Sequence, residues 1–533
     1  MTAAPLPTDR AALLERLAEP RKVDLVVVGG GATGLGVALD AALRGHSVVL
    51  LEAEDFAKGT SSRATKLVHG GVRYLAQGNV GLVREALHER VHILENAPHL
   101  AQPLPFVMPA YRYWETPFYG VGLKMYDLLA GRAGLGDTRF LSPRQTQRLL
   151  PGVQARGLKG GVKYWDGQFD DARLALAIAR TAAAQGALLV NYCRVTGVLH
   201  EAGKVAGVLC QDTETGREFE LQAGCVVNAT GVWVDALRED DARAAGQQAQ
   251  PMVAPSQGVH AVVDQDFSPG GHALLVPSTA DGRVLFAVPW QGKLILGTTD
   301  TPRQDVPLEP RPLAGELEFI LREAGHYLAR APQRADIRSV WVGLRPLVKP
   351  THEGGGTAAI SREHTVLVSP AGLVTVTGGK WTTYRAMAED VLARCVEAGR
   401  LPDRGPSRTA RQPLVGTPAP GQAAVSLAEP PGLHLYGAEA RAVQALPGSD
   451  TWLAPGLSEA MVRFAARHEY ARSVEDVLAR RSRWLFLDAA VAQAAAPGVA
   501  RVLQEELGRE TGLDGFVQLA ASYRAEAASP VGG

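Results

Sequence analysis

The stretch TSSRATKLVHGGVRYL, residues 60–75, gathers hydroxyls, a lysine, a histidine, a glycine pair, an arginine and a tyrosine. Upstream of it residues 29–34 read GGGATG, so Gly29, Gly31 and Gly34 fill the pattern G-x-G-x-x-G. That spacing serves a defined chemistry: a tight turn, close approach of backbone to a pyrophosphate, and a helix packed near its strand. The phosphates sit at the helix N-terminus, where free N–H groups and the dipole favour anions. Glu52 stands eighteen residues beyond Gly34, near the ~20 expected of a carboxylate that takes ribose hydroxyls. A carboxylate there disfavours a ribose 2′-phosphate, which argues against NADP and leaves FAD and NAD.

The elements that must position these groups follow from periodicity. VDLVVV, residues 23–28, reads as a buried strand, ATGLGVALDAALRGH as a helix, and HSVVLLEAE as a second strand, a β-α-β unit of a parallel sheet. Residues 170–210 and the run CVVNATG extend the same sheet. Residues 100–165 and 251–340 hold most of the aromatics and prolines, with alternating runs such as GVHAVVD, RVLFAVPW and KLILGTTD. They read as an antiparallel substrate unit inserted in two pieces. The expected organisation is an oxidoreductase domain over 20–400, with a dinucleotide part at about 20–100, 165–250 and 341–400 and a substrate part at about 101–164 and 251–340. The Pro/Gly/Ala-rich 401–434 reads as a linker and 435–533 as a helical C-terminal domain.

Composition excludes several classes. Lys plus Arg and Asp plus Glu both total 55, which leaves no excess charge to hold a nucleic acid by counterion release. The four cysteines are scattered and no histidine cluster has metal-ligand spacing, so no metal and four reduced thiols are expected. The charged N-terminus reads as a short amphipathic helix and not a secretory segment, and no stretch has the ~20 apolar residues of a membrane span.

GTSSRATKLVHGGVRYL, YWDGQFDDARL, NATGVWVD, GTTDT, VGLRPL and TGGKWTTYRAMAED together resemble the FAD-dependent glycerol-3-phosphate dehydrogenases. The resemblance runs in order from residue 23 to about 395. It implies an α/β fold with a Rossmann-like FAD-binding domain of the glutathione-reductase/D-amino-acid-oxidase type, an inserted antiparallel substrate domain, and a helical C-terminal domain. It implies oxidation of sn-glycerol 3-phosphate at C2 to dihydroxyacetone phosphate, with FAD taking the hydride and membrane quinone taking the electrons. A peripheral place on the cytoplasmic face of the inner membrane is then expected, and a homodimer is compatible with it. Close relatives that use oxygen and make peroxide share these motifs. An amine or amino-acid oxidase of the same fold and a non-catalytic flavin sensor are the other readings.

Site residues follow by type and place. A phosphate dianion needs fixed cations, and arginine offers a bidentate fork, so Arg73 and Tyr74 suit the substrate. Arg345 ends an apolar strand, where a charge is costly unless it meets an anion. By resemblance Arg345 binds substrate beside the flavin, Arg362 is a second substrate arginine, and Lys380 is a substrate lysine at the helix entry GGKWTTYRAMAED. That helix N-terminus would face the flavin edge where negative charge develops. Cofactor contacts are expected from Thr60, Ser61, Ser62, Lys66, His69, Gly70, Gly71, Val195, Gly231, Gly378, Gly379, Lys380 and Thr382, besides Gly29, Gly31, Gly34 and Glu52. The C2 hydroxyl proton needs an acceptor, and three stay open: His260, His69, or water with Arg345 stabilising an alkoxide.

Overall fold

A computed structural model describes residues 6–71, 79–279, 282–349, 364–422 and 424–524 of the chain. The runs of β-branched residues near the N-terminus form parallel strands buried on both faces. β1 (Lys22–Val28) lies between β2 (Val48–Leu51) and β10 (Glu218–Asn228), parallel to each. β7 (Leu188–Val190) extends the sheet beyond β2, and β18 (Leu373–Gly378) followed by β17 (His364–Val368) extends it beyond β10. β8 (Cys193–Glu201) and β9 (Lys204–Asp212) form an antiparallel hairpin joined to β10. This is the expected dinucleotide sheet. All four cysteines are buried and reduced.

Helices Ala32–Leu43, Asp171–Ala184 and Tyr384–Glu397 are covered by one hydrophobic core with this sheet. At Gly36 an added Cβ would stand 2.8 Å from the Tyr384 ring, so the glycine sets how closely two of these helices approach.

Among the described residues the second sheet has ten strands. Its spine runs β15 (Thr301–Pro302), β11 (Val253–Asp264), β14 (Lys293–Gly297), β13 (Leu285–Trp290), β12 (Ala273–Val276), β4 (Ala101–Ala110), β6 (Gly160–Phe169) and β3 (Leu67–Val68). β5 (Arg139–Leu141) pairs with β6, and β16 (Ser339–Val348) pairs antiparallel with β11 from Val253–Val348 to Val262–Ser339. One face packs against helix Glu316–Tyr327 and the other, through Trp290 and Trp341, against the C-terminal helices.

Two expected boundaries move. β16 was assigned with the dinucleotide part by its place after residue 341, but ten residues of ladder with β11 put it in the second sheet. β6, divided at residue 165 by the sequence reading, is one strand paired with β4 throughout. The Pro-rich 401–434 is no free linker: Leu414 N–H donates to Asn96 O at 2.9 Å, and Gln291 and Gly292 donate to Leu427 O and Ala428 O at 2.7 and 2.9 Å. Leu401, Leu414 and Leu427 are buried in it. Proline removes N–H donors and fixes φ, which suits a strap laid across finished sheets as well as it suits a tether.

Candidate functional site

Three strand-to-helix turns meet where β1, β10 and β18 end side by side. Gly29 has φ 108° and an added Cβ would lie 2.6 Å from Ala229 O; at Gly34 it would lie 2.0 Å from Gly29 O. At Gly30 it would meet Phe56 and the Glu52 side chain, and at Gly31 it would stand 3.1 Å from Ser61 Oγ. The turn is therefore a cradle that side chains would fill, leading into helix Ala32–Leu43, whose Gly31 N-cap makes no side-chain cap bond. Gly231, Gly378 and Gly379 all have positive φ in the two neighbouring turns. These features fit a dinucleotide pyrophosphate.

Glu52 completes this half. Its carboxylate accepts from the N–H groups of Gly30 and Glu54 at 2.6 and 2.8 Å. Burial raises its pKa above the ordinary carboxylate value, and the two amides offset part of that rise. Val195 lies two residues beyond Cys193, whose N–H donates to the Glu52 backbone carbonyl at 2.8 Å, so β8 begins beside the Glu52 main chain.

Residues 60–71 bridge the two sheets. Thr60 Oγ1 donates to Leu344 O at 2.6 Å, and Ser61 Oγ accepts from Ala32 N–H at 2.9 Å. Ser62 O accepts from Lys66 Nζ and from Arg483 Nη2 at 2.8 and 2.7 Å. The Ala64 N–H donates to Asp171 Oδ2 at 3.0 Å. His69 N–H donates to Thr382 Oγ1 at 3.2 Å, joining this segment to the turn entering helix Tyr384–Glu397. Gly70 N–H donates to the Tyr126 hydroxyl at 2.9 Å, and Gly71 has φ 78°.

Lys66 takes a different place from the one expected of a cofactor contact. Its ammonium is wholly buried, bonded to Asp171 Oδ2 at 2.7 Å and lying about equally near the rings of Trp290, Trp341 and Phe486. Burial, with Arg483 adding to it against the pull of Asp171, lowers its pKa to about 7. The side chain anchors the segment from behind.

On the second sheet, Trp341, Gly343 and Arg345 share one face of β16 because side chains alternate along a strand. At Gly343 an added Cβ would lie 2.8 Å from Arg63 O, so the bridging segment rests directly on this strand. The Arg345 guanidinium donates to Asp300 Oδ1, Thr298 Oγ1 and Thr299 O at 3.2, 3.3 and 3.0 Å. It lies over Gly258, where an added Cβ would be 2.3 Å from its Nη2. The strand-end arginine thus has its own carboxylate, a partner the sequence reading did not name.

His260 is opposite Trp341 in the β11–β16 ladder and stacks on it with ring centroids 5.1 Å apart. Its Nε2 is 2.9 Å from Thr65 Oγ1. Burial first, then the charges of Lys66 and Arg345, hold its pKa well below the ordinary 6.5, so the imidazole is neutral. Lys380, following Gly378 and Gly379, precedes the one-turn helix Trp381–Thr383, and Trp381 Nε1 donates to Ser61 O at 2.8 Å. Arg73, Tyr74 and Arg362 lie outside the described residues.

The structure joins Ser61 to the cradle at Ala32 and to Trp381 of the turn after Lys380, His69 to Thr382 of the same turn, Thr60 to Leu344 beside Arg345, and Thr65 to His260. Sequence reasoning missed Thr65, Trp381, Asp300 and Asp171. All four stand in quoted motifs, GTSSRATKLVHGGVRYL, TGGKWTTYRAMAED, GTTDT and YWDGQFDDARL, which was the available signal.

Comparison with known proteins places this geometry. Residues 24–389 match the family model described as FAD dependent oxidoreductase, and residues 407–511 that of the C-terminal domain of alpha-glycerophosphate oxidase. The chain is 42% identical to the mitochondrial glycerol-3-phosphate dehydrogenase of Rattus norvegicus, over 94% of this chain and 73% of that protein. It is 41% identical to the Homo sapiens protein of the same name, with the same coverage of each. The glycerol-3-phosphate dehydrogenase from Bacillus halodurans, solved in complex with FAD, superposes with a TM-score of 0.76 at 30% identity, covering 98% of each chain.

Proposed function

The chain belongs to the FAD-dependent glycerol-3-phosphate dehydrogenases, and on that premise we propose that it oxidises sn-glycerol 3-phosphate at C2 to dihydroxyacetone phosphate and passes the electrons to a membrane quinone. FAD, when bound, supplies the acceptor for the C2 hydride. The observation that carries the reading is the meeting of two half-sites: the glycine cradle with Glu52 on one sheet, and Arg345 with His260 on a face of the other that the 60–66 segment covers.

The residues divide the work. The cradle and the helix end beyond it take the pyrophosphate, and Glu52 turns its carboxylate to ribose hydroxyls. Thr60, Ser61, Ser62, Thr382 and the glycine turns at 70–71, 231 and 378–379 hold the flavin edge and shape the floor. Arg345 binds a substrate oxygen or phosphate, steadied by Asp300, and Arg73, Tyr74, Arg362 and Lys380 complete the anion site.

His260 is the better supported of the proton acceptors. It is neutral, so it has a lone pair to offer, and it shares the sheet face of Arg345. Thr65 fixes the ring by holding Nε2 and would relay the C2 hydroxyl proton to it. Substrate negative charge then offsets the imidazolium that forms, a compensation burial otherwise denies.

Among the described residues no helix is long and apolar enough to cross a membrane, and the quinone reading is one of contact with a bilayer surface. A second reading, oxygen as acceptor with peroxide as product, is favoured by the match of residues 407–511 to a glycerophosphate oxidase domain.

Anaerobic titration of the purified flavoprotein with sn-glycerol 3-phosphate, followed through the visible flavin band, tests both. Bleaching that recovers slowly in air and quickly with a soluble quinone is the expected result. Bleaching with rapid recovery and stoichiometric peroxide assigns the oxidase. A flavin band that substrate leaves untouched refutes the substrate assignment.

A further inference from the structure

Helix Glu115–Ala130 presents two opposite faces. Leu123, Tyr126 and Ala130 are buried, whereas Trp114, Phe118, Val121, Met125 and Leu128 form an outward stripe at alternating spacings of four and three residues. Phe118 and Leu128 are 66% and 82% exposed, and Phe140, packed over Gly120 on the flank of the helix, is 52% exposed. A contiguous apolar stripe about 21 Å long is not what a freely solvated helix carries.

The surrounding charge decides the occupant. The two acids of the helix are half-buried and engaged by nearby backbone: Glu115 accepts from the N–H groups of Tyr111 and Arg112, and Asp127 from Thr138 N–H. Arg112, Lys124 and Lys159 are exposed around the stripe, with Lys159 over the Tyr113 ring, while exposed Arg139 is paired with exposed Asp137 at 3.8 Å. A second copy docking here would bring these same cations against one another. An anionic bilayer complements them, takes the apolar stripe below its headgroups, and suits Tyr113 and Trp114 at the interface.

We propose that this helix, lying flat, is the lipid-docking face of the protein. The inference rests on the membrane reading above and locates the surface it needs. The buried side of the helix leads back to the site, since the Tyr126 hydroxyl accepts from Gly70 N–H at 2.9 Å and donates to Asp166 at 2.8 Å.

The test is flotation of the FAD-loaded protein with phosphatidylcholine vesicles, with and without phosphatidylglycerol, for the wild type, Phe118→Ser/Leu128→Ser and Lys124→Glu. The wild type is expected to float with anionic vesicles, and the double variant to lose about tenfold in vesicle partition while keeping wild-type turnover with a soluble acceptor. Lys124→Glu is expected to weaken binding only where phosphatidylglycerol is present. A wild type and double variant that float equally overturn the assignment of this helix and leave the membrane reading standing. A wild type that floats with neither vesicle overturns both. A solution dimer that the double variant loses, with flotation unchanged, gives the stripe to a second copy.

Discussion

Gly258→Ala tests the geometry of Arg345 without touching its charge. An alanine Cβ would stand 2.3 Å from Nη2, 2.9 Å from Cζ and 2.5 Å from Thr298 Oγ1. All three atoms belong to side chains and the position is an ordinary strand residue, so the fold can yield by swinging the guanidinium aside. The displaced group leaves Thr298, Thr299 and Asp300 and with them its aim at the substrate. One hydrogen bond to a charged group contributes about 1.5–3 kcal/mol, so kcat/KM should fall by about ten- to a hundredfold, with 1.4 kcal/mol to each factor of ten. Steady-state kinetics with an artificial electron acceptor give kcat and KM, and the flavin band per mole of protein gives occupancy. Arg345→Lys, which keeps the charge and loses the fork, should show a loss of similar size. A Gly258→Ala protein with normal flavin content and kcat/KM within about threefold of wild type would refute the reasoning that places Arg345 over the substrate.

Gly34→Ala sets a Cβ 2.0 Å from Gly29 O, a backbone atom with no freedom to move aside; the protein should purify with little flavin, measured by absorbance and by the melting shift on adding FAD. Asp171→Ala removes the carboxylate shared by Lys66 and Arg483, and stripping the partner from buried charges costs about 3–5 kcal/mol; Lys66→Met, apolar among three aromatic rings, should cost less, both read by thermal and denaturant unfolding. Lys66 gives up its proton near pH 7 when folded and near 10.5 when unfolded. Between those values the unfolded chain binds the extra proton, so this group's contribution makes stability rise with pH, and the wild type should gain on Lys66→Met from pH 7 to 10 in paired melts. His260→Gln should lower kcat by about 10²–10⁴ if the imidazole takes the proton, with flavin retained. Because the His260 pKa in the free protein lies below 6.5, the acid limb of the kcat/KM profile, which reports the free enzyme, should fall below that value, and a kcat/KM profile whose enzyme group breaks at or above 6.5 would count against His260.

The dinucleotide half was legible because its chemistry is local. Gly29, Gly31, Gly34 and Glu52 stand within one β-α-β unit, and the strand and helix periods around them fix their relative places before any other residue is considered. The substrate half was legible only as motifs. Arg345 reads as a charge in want of an anion, but nothing in its neighbourhood points to Asp300, which a crossing ladder brings to it. The division at residue 341 failed for the same reason: a strand's sheet is chosen by partners far away in sequence, and β16 found β11.

The stretch 60–75 shows where local reading stops. Its polar residues suggested a loop crowded with ligand contacts, yet several serve the protein itself. Arg63 pairs with Glu309, Lys66 with Asp171, and Thr65 with His260, and Arg483 of the C-terminal domain donates to Ser62 O across more than 400 residues of chain. Arg480 and Arg481 reach Asp55 just before it. Buried arginines need such carboxylates and carbonyls or they would not stay charged inside. The C-terminal helices therefore grip the active-site segment through Ser62, Asp171 and Asp55. A loosened grip at Arg483 should reach the flavin through Ser62 and Lys66: Arg483→Met should raise the dissociation constant for FAD more than it lowers the melting temperature of the flavin-free protein, and an unchanged FAD affinity would show that the C-terminal domain braces the fold alone.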